Sequence, residues 1–329
     1  MAAKMKIGIL SAGGDCPGIN AAIRGVGKTA LLNYGMEVIG FNNGFSGLID
    51  KDFRNLDEAS LSGILTMGGT VLGTSRVKPF KSTDENDLPN IICDNYRSLG
   101  LDALVCIGGN GTQRTASMLS DIGLNIVGVP KTIDNDLFGT DTTIGYDTAL
   151  NTIMECVDKI RDTATSHERL FFIEVMGRDA GFLALNGAIA TGAEAAIIPE
   201  ISTEVDQLAD LIQNGFRKSK NSSIVLVAES PITGGAMGLA ERVKNEYPQY
   251  DVRVSILGHL QRGGSPTATD RILASRMGAA AIDALLEDQR NVMIGVHNDE
   301  IVYVPFFKAI KNDKPIDRTL LKTLRTLSI

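Results

Sequence analysis

The chain has 329 residues, of which 43% are hydrophobic and 22% are charged, a balance that is ordinary for a globular enzyme. Its length favours two α/β lobes over one small core. The formal net charge of −7 argues against nucleic-acid binding, which needs a basic face. The apolar run Ile7–Leu10 is too short for a signal-peptide core, and the other apolar runs are far shorter than a membrane span of roughly 20 residues. We therefore expect a cytoplasmic protein.

Short apolar runs alternate with longer amphipathic stretches along almost the whole chain. The predicted strands are Lys6–Leu10, Glu37–Phe41, Ala103–Ile107, Asn125–Val129, Phe171–Val175, Ala195–Ile198, Ile224–Ala228, Val252–Leu257 and Val292–Val296. Between them lie helix-period segments such as Thr148–Ile160, in which Ile153, Val157 and Ile160 share one face. This alternation predicts an α/β fold of two lobes, with mostly parallel sheets flanked by helices in Rossmann-like layers.

Polar or glycine-rich loops follow six of these strands. They are Gly13-Gly14-Asp15, Gly108–Thr112, Lys131–Asp136, Met176-Gly177-Arg178, Glu229 and Gly258–Gly264. Ligands of open α/β sheets bind outside the carboxyl ends of the strands, so six such loops indicate a ligand site. None of the glycine loops fits the dinucleotide pattern G-x-G-x-x-G. The P-loop-like run that ends at Lys28-Thr29 starts with Ala22 instead of glycine and lies inside a predicted helix, so we reject it.

Several loop residues have side chains suited to phosphoryl transfer. Glycines after a strand let a phosphate approach the backbone, although either glycine loop taken alone is more simply interpreted as a tight turn. Asp134 and Asp136 are two residues apart, so one can accept a proton while the other helps to hold Mg²⁺; the alternative is capping of a turn. Lys131 and Thr132 beside them favour a transferring phosphoryl group.

Arginines near glycines, strand ends or loops are candidates for binding phosphate oxygens. They are Arg76, Arg169, Arg178, Arg253, Arg262 and Arg271. A lone arginine is more often a surface charge, so none of them is decisive alone. His259 is open to two interpretations, a hydrogen-bond donor to a sugar or a satisfied core residue.

Taken together, these loops closely resemble the phosphofructokinase family. The matching segments are Gly13–Ala21, Gly68-Gly69-Thr70 with Leu72-Gly73 and Arg76, Gly108–Thr112, Pro130–Asp136, Glu174–Arg178, Leu257–Pro266 and Asp270–Ala279. The match follows the family's order over roughly residues 5 to 300. It implies an ATP-dependent 6-phosphofructokinase of glycolysis, which phosphorylates the 1-hydroxyl of fructose 6-phosphate.

The resemblance also implies roles for residues of this chain. Asp134 would accept the proton of the sugar 1-hydroxyl, Thr132 would position the phosphoryl group, and Arg178 would stabilise its charge. Lys131 joins this catalytic set as a cation able to assist phosphoryl transfer. The implied sugar-phosphate residues are Thr132, Ile133, Asp134, Arg169, Met176, Gly177, Arg178, Glu229, Arg253, His259, Leu260, Gln261 and Arg262.

The implied ATP residues are Gly13, Arg76, Val77, Gly109, Asn110, Gly111 and Thr112, with Mg²⁺ at Asn110 and Asp136. The larger, nucleotide-binding lobe is expected to comprise residues 1–138 and roughly 251–305. The smaller, sugar-phosphate lobe is expected to comprise residues 139–250 and the C-terminal tail. In the family, Arg169 and Arg253 reach in from a neighbouring subunit, which implies a homotetramer with shared active sites. Family-like positions for a regulatory nucleotide or phosphoenolpyruvate are Arg24, Arg161, Glu194, Lys218 and Lys220, an incomplete basic set.

Two positions bear on the donor and on the metal. The family loop usually has aspartate where this chain has Asn110, whose amide can reach hydrated Mg²⁺ but carries no negative charge. Gly111 leaves room for the ATP α-phosphate, where pyrophosphate-using relatives carry a second aspartate, whereas Lys131 is the residue that those relatives use. A pyrophosphate-dependent phosphotransferase is therefore the main alternative. A non-catalytic sugar-phosphate-sensing subunit is the second, and the retained Asp134, Thr132 and Arg178 argue against it.

Overall fold

The computed structural model describes residues 4–81, 87–166, 169–201, 223–229 and 234–327. The chain divides into two compact units. The first unit comprises Met1–Thr132, Asp136–Asp147 and Arg262–Lys314, and the second comprises Ile133–Asn135, Thr148–Gln261 and Pro315–Ile329. Each unit is built around its own sheet, so the chain crosses from one unit to the other several times.

The described strands and helices are numbered in chain order. The strands are β1 (Lys6–Ala12), β2 (Glu37–Phe41), β3 (Phe53–Asn55), β4 (Ala103–Gly108), β5 (Ile126–Pro130), β6 (Leu170–Val175), β7 (Ala195–Ile197), β8 (Ser223–Ala228), β9 (Val252–Ile256), β10 (Val292–His297) and β11 (Glu300–Pro305). The α-helices are α1 (Ile19–Lys28), α2 (Phe45–Asp50), α3 (Leu88–Ser98), α4 (Asn110–Asp121), α5 (Tyr146–Ser166), α6 (Phe182–Thr191), α7 (Gly235–Glu246), α8 (Ala268–Leu286), α9 (Phe306–Lys311) and α10 (Arg318–Leu327).

The first unit contains a sheet with the strand order β11-β10-β5-β4-β1-β2-β3. Its central strands are parallel, and the β2–β3 and β10–β11 pairs at the two edges are antiparallel. All six residues of β4 are buried, as expected for a parallel strand that is covered on both faces. The core of this unit includes Leu10, Phe41, Leu104 and Phe306. The predicted α/β class with mostly parallel sheets is confirmed, and β3 and β11 are additional strands that the sequence patterns did not predict.

The second unit contains a sheet with the order β7-β8-β6-β9, in which every pairing is parallel. Its core includes Phe172, Val225 and Leu239. Because β9 pairs with β6, residues 251–261 belong to this unit, whereas the sequence-based division placed them in the larger lobe. Residues 139–147 and 306–314 were predicted to lie in the smaller lobe, and they belong instead to the first unit. Helix α10 packs against α6 in the second unit, as part of the C-terminal tail.

The glycines of the rejected P-loop lie within α1, and one of them makes a close helix contact possible. A Cβ atom at Gly25 would lie 2.9 Å from the carbonyl oxygen of Ser275 in α8, which is too close for any side chain. Gly25 therefore permits α1 and α8 to pack together and has no phosphate-binding geometry. The four cysteines, Cys16, Cys93, Cys106 and Cys156, are free thiols. No described helix combines the length and apolar character needed to cross a membrane.

Candidate active site

Three of the predicted loops leave the first sheet at the same edge. The parallel register pairs Ala12 at the end of β1 with Gly108 at the end of β4, and Gly108 in turn with Pro130 at the end of β5. Because these three strands are neighbours and end in register, the loops that follow them emerge side by side. Within the first unit, the structure thus brings together the residues that were predicted from loops 13–15 and 109–112 with Lys131, Thr132 and Asp136.

The buried side chain of Lys131 links the loop after β5 to the loop after β1. Its side chain is only 2% exposed, and Nζ donates hydrogen bonds to the carbonyl oxygens of Ala12, at 3.2 Å, and Gly14. The hydroxyl of Thr112 donates to the same Ala12 carbonyl at 3.1 Å. A buried ammonium group needs such polar partners, so Lys131 fixes the backbone of the first loop.

The irregular segment after the 3-10 helix Ile64–Thr66 carries Arg76 and Val77 next to Gly13. The amide of Gly13 donates to the carbonyl oxygen of Ser75 at 2.9 Å, and the hydroxyl of Thr74 donates to the Gly13 carbonyl at 2.7 Å. Gly13 has φ +88°, a conformation that favours glycine. Arg76 and Val77 follow directly, and both are exposed. Their exposure leaves them available to a ligand at this edge.

Helix α4 begins at this edge and points its first turn outward. Its N-cap residue is Gly109, which has no side chain to cap the first amides. The first amides of a helix have no partner within the helix, and together with the helix dipole they favour an anion. A Cβ atom at Gly111 would have no heavy atom within 4 Å. The space above the start of α4 is therefore open.

Asn110 and Asp136 form a pair that fits a divalent cation. The Asn110 side-chain amide donates to Oδ2 of Asp136 at 2.9 Å, while Oδ1 of Asp136 is buried without a hydrogen-bond partner among the described residues. A buried carboxylate oxygen without a partner is costly, and a bound cation would satisfy it. No cluster of three or more His, Cys, Asp or Glu residues occurs in the described parts of the chain. Mg²⁺ usually keeps waters and substrate phosphates among its ligands, so one carboxylate and one amide oxygen could complete such a site.

The backbone of Thr132 is held on both sides. Its amide donates to the Ile144 carbonyl oxygen at 3.1 Å, and its own carbonyl accepts from the Thr143 hydroxyl at 2.6 Å. The turn that follows contains Asp134, which is partly exposed, and Asn135, with φ +53°. Asparagine tolerates this left-handed conformation better than most residues. The turn thus presents Asp134 two residues after a fixed position.

Arg262 lies over the first loop of the same unit. Its Nη1 donates to the Asp15 carbonyl oxygen at 3.1 Å, and a Cβ atom at Gly14 would lie 2.5 Å from that nitrogen. The Arg262 Nε is buried and has no hydrogen-bond partner in the described structure. An unpaired guanidinium donor beside a glycine loop is a group that an anionic oxygen would satisfy.

In the second unit, Met176, Glu229 and Gln261 gather at the carboxyl edge of the sheet. The Met176 amide donates to Oε1 of Gln261 at 3.1 Å, and the Glu229 amide donates to the Val175 carbonyl oxygen at 2.8 Å. Gln261 is fully buried, and its amide group also donates to the Gly258 carbonyl at 3.0 Å, so this side chain ties the loop after β9 to the loop after β6. The residues that were predicted from these loops differ in their exposure. Arg178, Glu229, His259 and Leu260 are exposed, and Gly177 is buried.

Arg169 and Arg253 lie at the other end of this sheet. Arg169 precedes β6, and Arg253 pairs with Phe171 near the start of that strand. Both arginines bind Asp251, with Arg169 Nε 2.9 Å from Oδ2 and Arg253 Nη1 2.5 Å from Oδ1. A strand of six residues is about 20 Å long, so Arg169 is far from Met176 in its own chain. The structure does not bring these two arginines to the edge where the other sugar-phosphate candidates lie.

The candidate effector positions have ordinary structural partners where they are described. Arg161 donates to the Thr191 carbonyl oxygen at 2.6 Å, and Glu194, which is buried, accepts from the Ile224 amide at 2.5 Å. Arg24 is half-buried on α1. Lys218 and Lys220 lie outside the described residues.

A supporting network behind Thr132 was not predicted. Asp270 of α8 is fully buried and accepts from the Gly145 amide at 2.8 Å, and the Thr267 hydroxyl binds Asp147 Oδ2 at 2.5 Å. These contacts fix the segment that holds Thr132. A buried aspartate that follows a threonine N-cap was the available sequence signal, but its distant partners could not be read from it.

Comparison with known proteins adds the identity of the family. The family model described as Phosphofructokinase matches residues 6–285. The chain is 66% identical over 324 residues to ATP-dependent 6-phosphofructokinase 2 of Bacteroides thetaiotaomicron, with 98% of each chain covered. It is 47% identical over 307 residues to ATP-dependent 6-phosphofructokinase 3 of the same organism, with 92% of this chain and 91% of the relative covered. The crystal structure of Pichia pastoris phosphofructokinase matches with a TM-score of 0.86 at 35% identity, and the match covers 100% of this chain and 37% of that longer one. The chain belongs to the phosphofructokinase family.

Proposed function

We propose that this protein is an ATP-dependent 6-phosphofructokinase, which transfers the γ-phosphoryl group of ATP to the 1-hydroxyl of fructose 6-phosphate. The observation that carries this proposal is the 66% identity, over 98% of both chains, to a relative that bears this name. The convergence of the three loops of the first unit at one sheet edge supports it. The cytoplasmic location stays a prediction from the sequence.

In the proposed reaction, Asp134 accepts the proton of the attacking hydroxyl. The Thr132 side chain positions the phosphoryl group, and the two hydrogen bonds that hold the Thr132 backbone make this positioning rigid. Arg178 is exposed and stabilises the charge that develops on the transferring group. Positioning and charge stabilisation supply most of the catalysis in phosphoryl transfer.

Lys131 contributes indirectly in this scheme. Its ammonium group binds the Ala12 and Gly14 carbonyl oxygens, so it supports the loop that approaches the phosphates. Its buried positive charge also favours an anion at this edge. This location is compatible with a nucleotide donor, because the lysine lies beneath the loop and leaves the space above Gly111 open.

ATP is proposed to lie along Gly13, Arg76, Val77 and the first turn of α4. Asp136 and the Asn110 amide oxygen would hold Mg²⁺, which would offset phosphate charge when bound. For this the Asn110 amide must rotate, because its nitrogen now faces Asp136. The unpaired Oδ1 of Asp136 supports this assignment.

Fructose 6-phosphate is proposed to bind through Arg262, His259 and the loop residues around Met176. Gln261 takes part through its support of Met176, since its own side chain is fully buried. The remaining proposed contacts are Ile133, Gly177, Glu229 and Leu260, together with Arg169 and Arg253 from a neighbouring subunit.

The donor is tested by steady-state rates at saturating fructose 6-phosphate with MgATP and, separately, with Mg-pyrophosphate. We expect a kcat/KM for ATP that is at least about tenfold higher, because no carboxylate occupies the position of Gly111. Fructose 1,6-bisphosphate formation is followed in a coupled assay. A higher kcat/KM for pyrophosphate would establish the alternative donor, and no product with either donor would favour a sugar-phosphate sensor.

We further propose a homotetramer in which active sites are shared. The location of Arg169 and Arg253, at the end of the second sheet opposite Met176 and Glu229, supports this. Both side chains are partly exposed. Both bind the carboxylate of Asp251, which holds the two guanidinium groups together. Such a pair is suited to a phosphate group presented by another copy of the chain.

Shared sites predict complementation between two impaired variants, assayed at a fructose 6-phosphate concentration at which each alone has little activity. Arg169→Ala should raise the KM for fructose 6-phosphate, because a charge-assisted contact is worth ~1.5–3 kcal/mol. Dissociating and reassociating a mixture of Asp134→Ala and Arg169→Ala proteins should recover part of the activity, since some hybrid sites contain neither change. The matched control is Asp134→Ala mixed with Arg178→Ala, for which we expect no recovery because both residues serve the same chain's site. Hybrids that form without regaining activity in the first mixture would rule out a role for Arg169 across an interface.

A further inference from the structure

Lys314, at the end of the first unit, lies opposite Asp136. An isolated antiparallel bridge joins Leu137 to Asp313. In an antiparallel pairing, the residue before one partner faces the residue after the other, so this bridge sets Lys314 across from Asp136. Side chains at such opposed positions point to the same face, with Cβ atoms about 4.5–5.5 Å apart. Neither the predicted site nor the family motifs included Lys314.

The Lys314 ammonium group is held in place by a backbone acceptor. Its Nζ donates to the Asp141 carbonyl oxygen at 2.7 Å. The Asp141 carboxylate has partners of its own, the His297 ring at 3.0 Å and the Asn298 amide at 2.8 Å. The segment that carries Asp141 is thereby anchored to the β10–β11 hairpin. Lys314 is thus tethered to a fixed segment and does not reach freely into solvent.

The Asp136 carboxylate is close enough to act electrostatically on the Lys314 ammonium group. Burial lowers the pKa of Lys314 to about 8, while the nearby carboxylates of Asp141 and Asp136 act in the opposite direction. Lys314 is partly buried, in a position where charges are less screened than in bulk water.

The formal charge at this site differs from that of a site with two carboxylates. Asp136 supplies one negative charge, Asn110 supplies none, and the Lys314 ammonium opposite Asp136 offsets the one that is present. A divalent cation that approaches Asp136 therefore meets less negative charge than the carboxylate alone would present. The attraction that two carboxylates would provide is missing.

We propose that Lys314 is a positioning residue that compensates the charge of Asp136 in the nucleotide-free enzyme and weakens its binding of divalent cations. The inference rests on the proposed role of Asp136 as a metal ligand. It means that the metal enters mainly as the nucleotide complex, because the phosphates bring the negative charge that the empty protein site lacks. Lys314 thereby makes metal binding depend on nucleotide binding.

The experiment measures Mn²⁺ binding to the nucleotide-free protein by electron paramagnetic resonance of free Mn²⁺ at pH 7. Lys314→Met should tighten Mn²⁺ binding on the order of tenfold, since it removes a positive charge that acts on the carboxylate. Lys314→Gln should act in the same direction and serves if the methionine variant folds poorly. Lys314→Arg keeps the charge and should resemble the wild type. The matched control is Lys311→Met at the exposed end of α9, for which we expect no change.

Asp136→Asn distinguishes the charge compensation by Lys314 from the metal site itself. If it abolishes Mn²⁺ binding while both neutral Lys314 variants bind as the wild type does, the charge compensation is wrong and the metal site stands. If it binds Mn²⁺ as tightly as the wild type, the metal site itself is wrong. A lower melting temperature of Lys314→Met without tighter Mn²⁺ binding would show that the lysine only tethers the Asp141 segment, which also overturns the inference.

Discussion

Asp134→Ala should lower kcat by about 10²–10⁴-fold and leave the fold intact, because this is the usual cost of losing a general base. The turn that carries Asp134 follows a backbone position fixed by Ile144 and Thr143, so the carboxylate is presented from a rigid base. Asp134 is only partly buried, and alanine at this position leaves no large cavity. The effect should therefore appear in turnover and not in stability.

Asp134→Asn is the sharper variant, since it keeps the size of the side chain and removes its basicity. We expect it to lose kcat nearly as strongly as Asp134→Ala, with the KM for ATP and the melting temperature close to wild type. Asp121→Asn, at the exposed end of α4, is the matched control and should keep full activity. Near-normal turnover of either Asp134 variant, with unchanged substrate affinity, would show that another group accepts the proton.

The sheet interiors were predictable from the sequence, whereas the sheet edges were not. Buried parallel strands such as β4 are continuous apolar runs, and that pattern is strong even in a single sequence. Strand β3 has three residues and only one apolar side chain, so it has no pattern to detect. Strand β11 follows a two-residue hairpin turn in which Asn298 and Asp299 both have positive φ, 49° and 65°. Such turns favour asparagine, aspartate and glycine, so Asn298-Asp299 is a sequence signal for this hairpin.

The loops of the site were predictable for a geometric reason, because parallel neighbours end at one edge and their following loops must meet there. Contacts between distant segments were not predictable in this way. The hydrogen bond from Asn110 to Asp136 and the support of Gly145 by Asp270 join residues that are far apart in the chain. Arg169 illustrates the same limit. Its position in the sequence indicates the start of a strand, but not that the other sugar-phosphate candidates of the chain lie at the opposite end of that sheet.

Gly111→Asp should suppress the use of ATP, with a loss in kcat/KM on the order of 10²-fold, since juxtaposed like charges cost several kcal/mol. The carboxylate would occupy the space proposed for the α-phosphate and repel it. The protein itself should tolerate the change. A Cβ atom at this position meets no heavy atom within 4 Å, and an acidic residue in the first turn of a helix is favourable by ~0.3–1 kcal/mol. The melting temperature should therefore be unchanged or slightly higher.

Two matched variants divide the effect into its causes. Gly111→Ala adds only a methyl group in open space and should keep most of the ATP activity, whereas Gly111→Asn matches the size of aspartate without its charge. If charge repulsion dominates, the asparagine variant will retain far more ATP activity than the aspartate variant; if the space is the limit, the two will be equally impaired. Rates with MgATP at saturating fructose 6-phosphate, compared with melting temperatures, make the measurement. An ATP rate unaffected by Gly111→Asp would mean that the nucleotide does not lie over the start of α4.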